Sequence, residues 1–379
     1  MRPCPPLKPS RCVTIGGREI PVVLPNRRDP RLRLSAVIFT LQVLGQTVLG
    51  FKLSIAQILV TIGVCAVTEV VLTYRNQRML VWPASGILTG NSIAFILRAS
   101  GTQPGDWWSL RGIHFFVLAA VIAMLTKHLI RPRGRHLFNP SNVGIVWCLL
   151  VIGPVHVFPQ YLWWGEAGSL PVITAMAVIL VGGWWVLKSV RMIPMAVSFL
   201  VTFGVLVALY AAAGRQFVAI WREGPVSGFS YWANIALSPE LLIFVFFMIS
   251  DPQTSPKAPR GRIAYGMATA VVAAGLLWFQ DTEFGIKLAM LSSLTLVCAV
   301  VPFIEWANRW WSERRAQPAP GEAAALRPDW RRLRAAALTP VVVVSAILAV
   351  AAPLDTARLA GNEDVMNIEL GLTGPRNAQ

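Results

Sequence analysis

The chain has 379 residues, of which 55% are hydrophobic and 14% charged, and a mean hydropathy of +0.57, which places it among integral membrane proteins. Its net charge of +16 would fit nucleic acid in a soluble chain; here basic loops on one side of a bilayer account for it, and no nucleic acid is expected as a partner. The cysteines (Cys4, Cys12, Cys65, Cys148, Cys298) are scattered, with no Cys-x-x-Cys or Cys/His cluster, so a structural zinc, a c-type haem or a conventional iron–sulfur cluster has no support.

Residues 1–33 read as a basic, Pro/Arg-rich tail with no apolar run and no small-residue cleavage site. Apolar segments follow at 34–51, 53–73, 81–98, 111–130, 139–158, 169–187, 193–213, 233–250, 263–280, 284–304 and 336–353. Each is close to the ~20 residues that cross a hydrocarbon core of about 30 Å. The third, fifth, eighth and tenth are short or carry Pro, Gly, Asn or Glu near an end, as broken helices facing the protein interior do. Residues 305–335 read as an Arg-rich solvated linker, 336–353 as an appended transmembrane helix and 354–379 as an outer-side tail. The fold expected is all-α: a polytopic transmembrane bundle with a ten-helix domain over 34–304.

Alternating the loops across the membrane puts all but eight of the 34 Lys and Arg on one side. The eight are Lys52, Arg98, Arg111, Arg215, Arg222, Lys287, Arg358 and Arg376. That asymmetry orients the N-terminus to the cytoplasm and the C-terminus outside, in a bacterial inner membrane. Trp pairs at 107–108, 163–164, 184–185 and 310–311 lie near segment ends, where indole rings anchor at the membrane interface.

One stretch stands out, from Lys127 to Gly144. It leaves one apolar segment, crosses a basic loop and enters the next at Asn139-Pro140. Asn139 is a natural N-cap and Pro140 suits the first helical position. A helix start of that kind aims its free N–H groups and positive dipole end into the protein. Ser85 to Arg98 and Ser238 to Asp251 form a loose internal repeat, each reaching a hydroxyl (Thr102, Ser255) and then a proline. If segments 1–5 and 6–10 are repeats, they point opposite ways, since five is odd, and the working site falls where the halves meet.

These blocks carry a resemblance. Thr89-Gly90, Lys127-His128, Gly134 to Pro140 with Gly144, and Phe247 to Pro256 with Gly261-Arg262 and Tyr265-Gly266 resemble the RnfD/NqrB family, in order over about 34–304. Residues 136–142 look closer to its UnbU-like branch, associated with enediyne biosynthesis. The resemblance implies a ten-helix inverted repeat, flavin (FMN or riboflavin) held in the membrane, other membrane electron-transport subunits as partners, and electron transfer coupled to Na⁺ or H⁺. The chain departs from the family in one place. The outer loop that should carry a threonine esterified to FMN has none between Phe158 and Ser169, the next being Thr174, so any flavin is expected to be non-covalent.

For the cofactor cavity the expected residues are Thr89, Gly90, Asn91, Asn139, Pro140 and Asn142, with Asp251 as their counterpart from the second half. Glu69 and Glu240 are the ion-coupling candidates, because a carboxylate inside a membrane segment costs roughly 2.5–3.5 kcal/mol unless it is paired or hydrated. For Glu69 a partner such as Lys127 would supply the pairing; Glu240 could equally complement the dipole at a helix start. Asp251 could order its loop through Lys257, Arg260 or Arg262. His114 and His156 read as packing residues. No P-loop, Rossmann fingerprint, catalytic triad or His-Glu-x-x-His occurs. The expected function is a membrane subunit passing electrons through bound flavin. A transporter or channel on the same scaffold, serving export or biosynthesis of a specialised metabolite, is the alternative.

Overall fold

The computed structural model describes residues 11–15, 18–25, 29–131, 134–160, 169–219 and 224–315. The helix expected at 336–353, the tail after it and the linker beyond 315 lie outside the described residues.

Helices follow the apolar segments in chain order: α1 (Pro30–Thr47), α2 (Ile55–Gln77), α3 (Ala84–Ile96), α4 (Ile113–Leu129), α5 (Pro140–Ile152), α6 (Leu170–Val190), α7 (Ile193–Ala212), α8 (Gly228–Ala236), α9 (Pro239–Ile243), α10 (Pro259–Leu277) and α11 (Glu283–Arg315). The segment expected at 233–250 is interrupted. It bends between α8 and α9, and Phe244–Ile249 then continues α9 as π-helical turns. A second departure is α11, which runs through the start of the expected linker. A third is a hairpin, β1 (Arg11–Ile15) with β2 (Arg18–Val23), inside the expected tail. Its β2 pairs in parallel with β3 (Leu80–Val81), just after α2. Gly16-Gly17 between two β-branched runs is the turn signal that announces it.

Among the described residues, five helical stretches are long and apolar enough to cross a membrane: Ile55–Gln77, Leu170–Val190, Ile193–Ala212, Gly228–Ile249 and Glu283–Val301. Burial divides the helices into two sets. In Ile55–Gln77 and Ile193–Ala212, 28% of the apolar window is buried; in Gly228–Ile249 it is 67% and in Glu283–Val301 it is 83%. The long helices α2 and α7 keep exposed apolar stripes, such as Val197, Val201, Val205 and Leu209 at every fourth position, which is the surface a lipid-facing helix presents. By contrast α3, α5, the π-helical turns and α11 from Glu283 to Val301 are largely buried. These central elements are the third, fifth, eighth and tenth segments, whose short length and helix-breaking residues mark them in the sequence.

The two halves repeat a packing scheme. In the first, α2 packs on α3 and α4, α4 on α5, and α1 on α3; in the second, α7 packs on α8 and α10, α10 on α11, and α6 on α9. Contacts of α1 with α6 and of α5 with α11 join them. Arg33, in the first turn of α1, lies with its guanidinium 5.0 Å from the ring centre of Trp185, near the end of α6, so α1 and α6 run antiparallel. An inverted repeat requires that relation between equivalent helices.

Polar side chains collect at two opposite ends of the bundle. One end gathers the starts of α1, α3 and α5 with the ends of α2, α4 and α6; there Arg262 Nη1 donates to the carbonyl of Arg191 at 2.7 Å. The other end gathers the exits of α3 and α5. There β4 (Leu97–Ala99) pairs antiparallel with β5 (Val157–Pro159), and Gln160 N donates to the Ile96 carbonyl at 2.6 Å.

Candidate functional site

Pro140 opens α5 and Asn139 caps it, as the sequence indicates. Asn139 Oδ1 accepts from Asn142 N at 3.2 Å and from Ser141 Oγ at 2.9 Å, while its Nδ2 donates to the Met248 carbonyl at 3.1 Å. That last bond reaches the end of the π-helical turns, where the helical ladder leaves carbonyls to be satisfied from outside. Asn139 therefore spends its amide on the cap and on joining the two halves.

Asn142 sits one turn deeper. Its Nδ2 donates to the Leu291 carbonyl and to Thr295 Oγ1 on α11, both at 2.9 Å, and its Oδ1 has no protein partner. Asn91, on α3, is fully buried, and among the described residues neither its Nδ2 nor its Oδ1 has a partner. On α11, Ser292 Oγ is likewise buried without one. A polar side chain left so costs about 1–3 kcal/mol, and native interiors meet the need with a ligand or ordered water. Three central helices thus carry unmet donors and acceptors.

Thr89 and Gly90 have other duties. Thr89 Oγ1 donates to the Ser85 carbonyl at 2.9 Å. A Cβ on Gly90 would lie 2.7 Å from Ile62 Cα and from the Thr61 carbonyl oxygen, so Gly90 lets α3 close on α2. Gly144 does the same for α5 against the Ala119 carbonyl of α4. Small residues at such crossings are the usual means of close packing in membranes.

Asp251 follows the π-helical turns. Among the described residues its ion-pair partner is His136, with Nε2 3.0 Å from Asp251 Oδ2, rather than the basic residues that follow it. Asp251 Oδ1 also accepts from Gln253 N at 2.9 Å. Together with Asn139–Met248, the His136–Asp251 contact ties the loop before α5 to the exit of the broken segment.

Two buried lysine-centred clusters lie at opposite ends of the bundle. At the basic end Lys127 pairs with Glu69 and donates to Ser85 Oγ at 2.8 Å, with His128 Nε2 3.7 Å from the same carboxylate. At the other end Lys287 lies 2.7 Å from Glu283 and 3.1 Å from Glu240. Each lysine meets the first turn of a short central helix, α3 through Ser85 and α9 through Glu240. A cavity of about 30 Å³ adjoins the second cluster, lined by Asn234, Ser238, Glu240, Glu283, Lys287 and Met290 among others. One water or one bare monovalent cation fits that space.

Sequence reasoning names Glu69 with Lys127 and singles out Glu240, but misses Glu283, Lys287, Ser292 and His136. The Glu283/Lys287 spacing of four on a helix is the signal that could find two of them. Thr174 is half-buried near the start of α6 and donates to the Leu170 carbonyl at 2.8 Å; residues 161–168 lie outside the described residues. His114 and His156, read as packing residues, are both exposed; the Phe115 ring lies 3.9 Å from His114, tilted, and 5.8 Å from His156, stacked. Among the described residues no group of three or more His, Cys, Asp or Glu is placed to hold a metal ion.

Comparison with known proteins agrees with this architecture. A protein-family model described as the NQR2, RnfD, RnfE family matches residues 156–310. The D component of the ion-translocating oxidoreductase complex of Citrobacter koseri is 24% identical over 312 residues, covering 66% of this chain and 85% of that protein. Its counterpart from Escherichia fergusonii is 24% identical over 320 residues, covering 69% and 86%. The chain is thus a multi-pass helical membrane protein similar to the NQR2, RnfD, RnfE family over residues 156–310, and similar to RnfD-type subunits over about two thirds of its length.

Proposed function

We propose that this chain is a membrane electron-transport subunit of a multi-subunit, ion-translocating oxidoreductase, working beside other membrane subunits. Support comes from its similarity to proteins named as components of such complexes, across most of their length. The basic end of the bundle then faces the cytoplasm, in a bacterial inner membrane.

The observation that carries the site assignment is the set of unmet polar groups of Asn91, Asn142 and Ser292 on the central helices. An isoalloxazine edge alternates hydrogen-bond donors and acceptors, and two carboxamides and a hydroxyl complement such an edge. In this reading Asn91 and Asn142 hold a non-covalent flavin, FMN or riboflavin. Bound flavin would supply one-electron transfer between partners. Asn139 and Asp251 fix the helix ends around it rather than touching it. Ion coupling is assigned to the Glu240–Lys287–Glu283 cluster, because a cavity large enough for one water or one bare monovalent cation adjoins it. Glu69–Lys127 is its counterpart on the opposite face.

The absorbance spectrum of the purified full chain tests the flavin assignment. The expected result is flavin bands near one equivalent, lost together with the flavin on denaturation. A chain that stays colourless after incubation with FMN and riboflavin overturns it. One observation favours a second reading, ion transport without redox chemistry: the two clusters guard opposite faces, as the two gates of an ion path do. Cation flux into proteoliposomes without an electron donor would decide for it.

A further inference from the structure

The last turns of α2 and the small sheet β1–β2–β3 enclose an open groove of about 450 Å³, lined by Ile20, Val70, Val71, Tyr74, Arg75, Arg78 and Leu80. That size lies within the ~300–1,000 Å³ typical of small-ligand sites. The groove continues the lipid-facing stripe of α2, on which Val67 and Val71 are exposed. Along this face the side chains change from valine to Tyr74, Arg75 and Arg78 in two turns. At 1.5 Å per residue, Val71 to Arg78 spans about 10 Å, enough to pass from acyl chains into the head-group layer.

Among the described residues neither arginine has a carboxylate within ion-pair distance; Glu69, one and a half turns back, is taken by Lys127. Arg78 ends the helix in the left-handed conformation, at φ +54°, a position that glycine or asparagine usually fills. Its guanidinium lies 5.9 Å from the ring centre of Tyr74, so it stays beside the groove. Ile20 and Leu80 supply the opposite, apolar wall from the sheet.

We propose that this groove binds one anionic phospholipid, with its phosphate between Arg75 and Arg78 and its upper acyl chain along Val70, Val71, Ile20 and Leu80. Paired guanidinium forks match phosphate oxygens better than ammonium groups do. An apolar floor continuous with the bilayer suits an acyl chain, which a soluble anion lacks. The site is separate from the central helices and stands whether or not the chain carries flavin.

Native mass spectrometry of the full chain, titrated with phosphatidylglycerol or phosphatidylcholine, tests the proposal. One phosphatidylglycerol is expected to remain bound at energies that strip phosphatidylcholine. Arg75→Gln and Arg78→Gln should each weaken it by about five-fold, since a basic residue at the surface contributes roughly that factor. Arg75→Lys, which keeps the charge, should fall between, and Arg191→Gln at the same face, outside the groove, should change nothing. Equal retention of the two lipids, or unchanged binding in the double Gln variant, overturns the proposal. So does displacement by inorganic phosphate alone, or a photo-crosslink from position 75 to a protein rather than to lipid.

Discussion

The side-chain amide of Asn139 donates to the carbonyl oxygen of Met248, 109 residues further along the chain and 3.1 Å away. This one residue caps α5 in the first half and satisfies the end of the broken segment in the second. Replacing it therefore removes two things at once. Asn139→Ala should cost about 1 kcal/mol for the cap and a further ~1–3 kcal/mol for the exposed partner group. Asn139→Ser keeps a capping oxygen but loses the donor, so its melting temperature in detergent should fall between wild type and Asn139→Ala. A Ser variant as unstable as the Ala variant would mean that the cap contributes nothing.

Asn91→Leu should move stability and cofactor content in opposite directions. The leucine removes two buried polar atoms without protein partners, so the flavin-free protein should become more stable, by about 1–3 kcal/mol. Flavin occupancy, read by absorbance, should drop. If Asn91→Leu retains its flavin, Asn91 is not in contact with it.

Lys287→Met removes the ammonium that both Glu240 and Glu283 approach inside the bundle. Removing one member of a buried ion pair costs about 3–5 kcal/mol. Adding Glu240→Gln to that variant should recover part of the loss, and a double-mutant cycle in thermal unfolding measures how much. Additive effects would show that Lys287 and Glu240 do not interact.

Two glycines of the first half should respond in opposite senses to the same change. Gly90→Ala drives a methyl group to within 2.7 Å of the backbone of α2, and overpacking of that sort costs about 1–3 kcal/mol. At Gly63 an added Cβ meets nothing within 4 Å, so Gly63→Ala should stabilise α2 by up to ~1 kcal/mol through helix propensity. Thermal unfolding of the two variants side by side is the check.

The bundle is legible in the sequence because bilayer thickness dictates segment length: 193–213 is read from hydropathy, and Ile193–Ala212 is the helix found. The cap at Asn139-Pro140 is legible because it is local. The break at Leu237-Ser238 is marked by Ser238-Pro239, but the π-helical turns after it are not legible, since an apolar run looks alike in either winding. Glu240–Lys287 is hidden for another reason: its partners stand on different helices, and the sequence places Lys287 only as an outer-side charge. In the sequence Gly90 reads either as a close approach to a ligand or as small-residue helix packing, and the geometry gives the space of its missing side chain to α2. Asn91 stands out in the sequence too, but that its amide is the one left unmet emerges only from the packed neighbours.

The π-helical turns at Phe244–Ile249 are, in terms of winding, an α-helix with a residue too many. Shortening that run by a single residue would let it relax into ordinary α-turns. Everything after the deletion would then rotate by about a quarter-turn relative to what precedes it, swinging the Met248 oxygen off its donor and Asp251 away from the imidazole of His136. The surplus residue thus sets the angular register by which one half of the molecule is locked to the other.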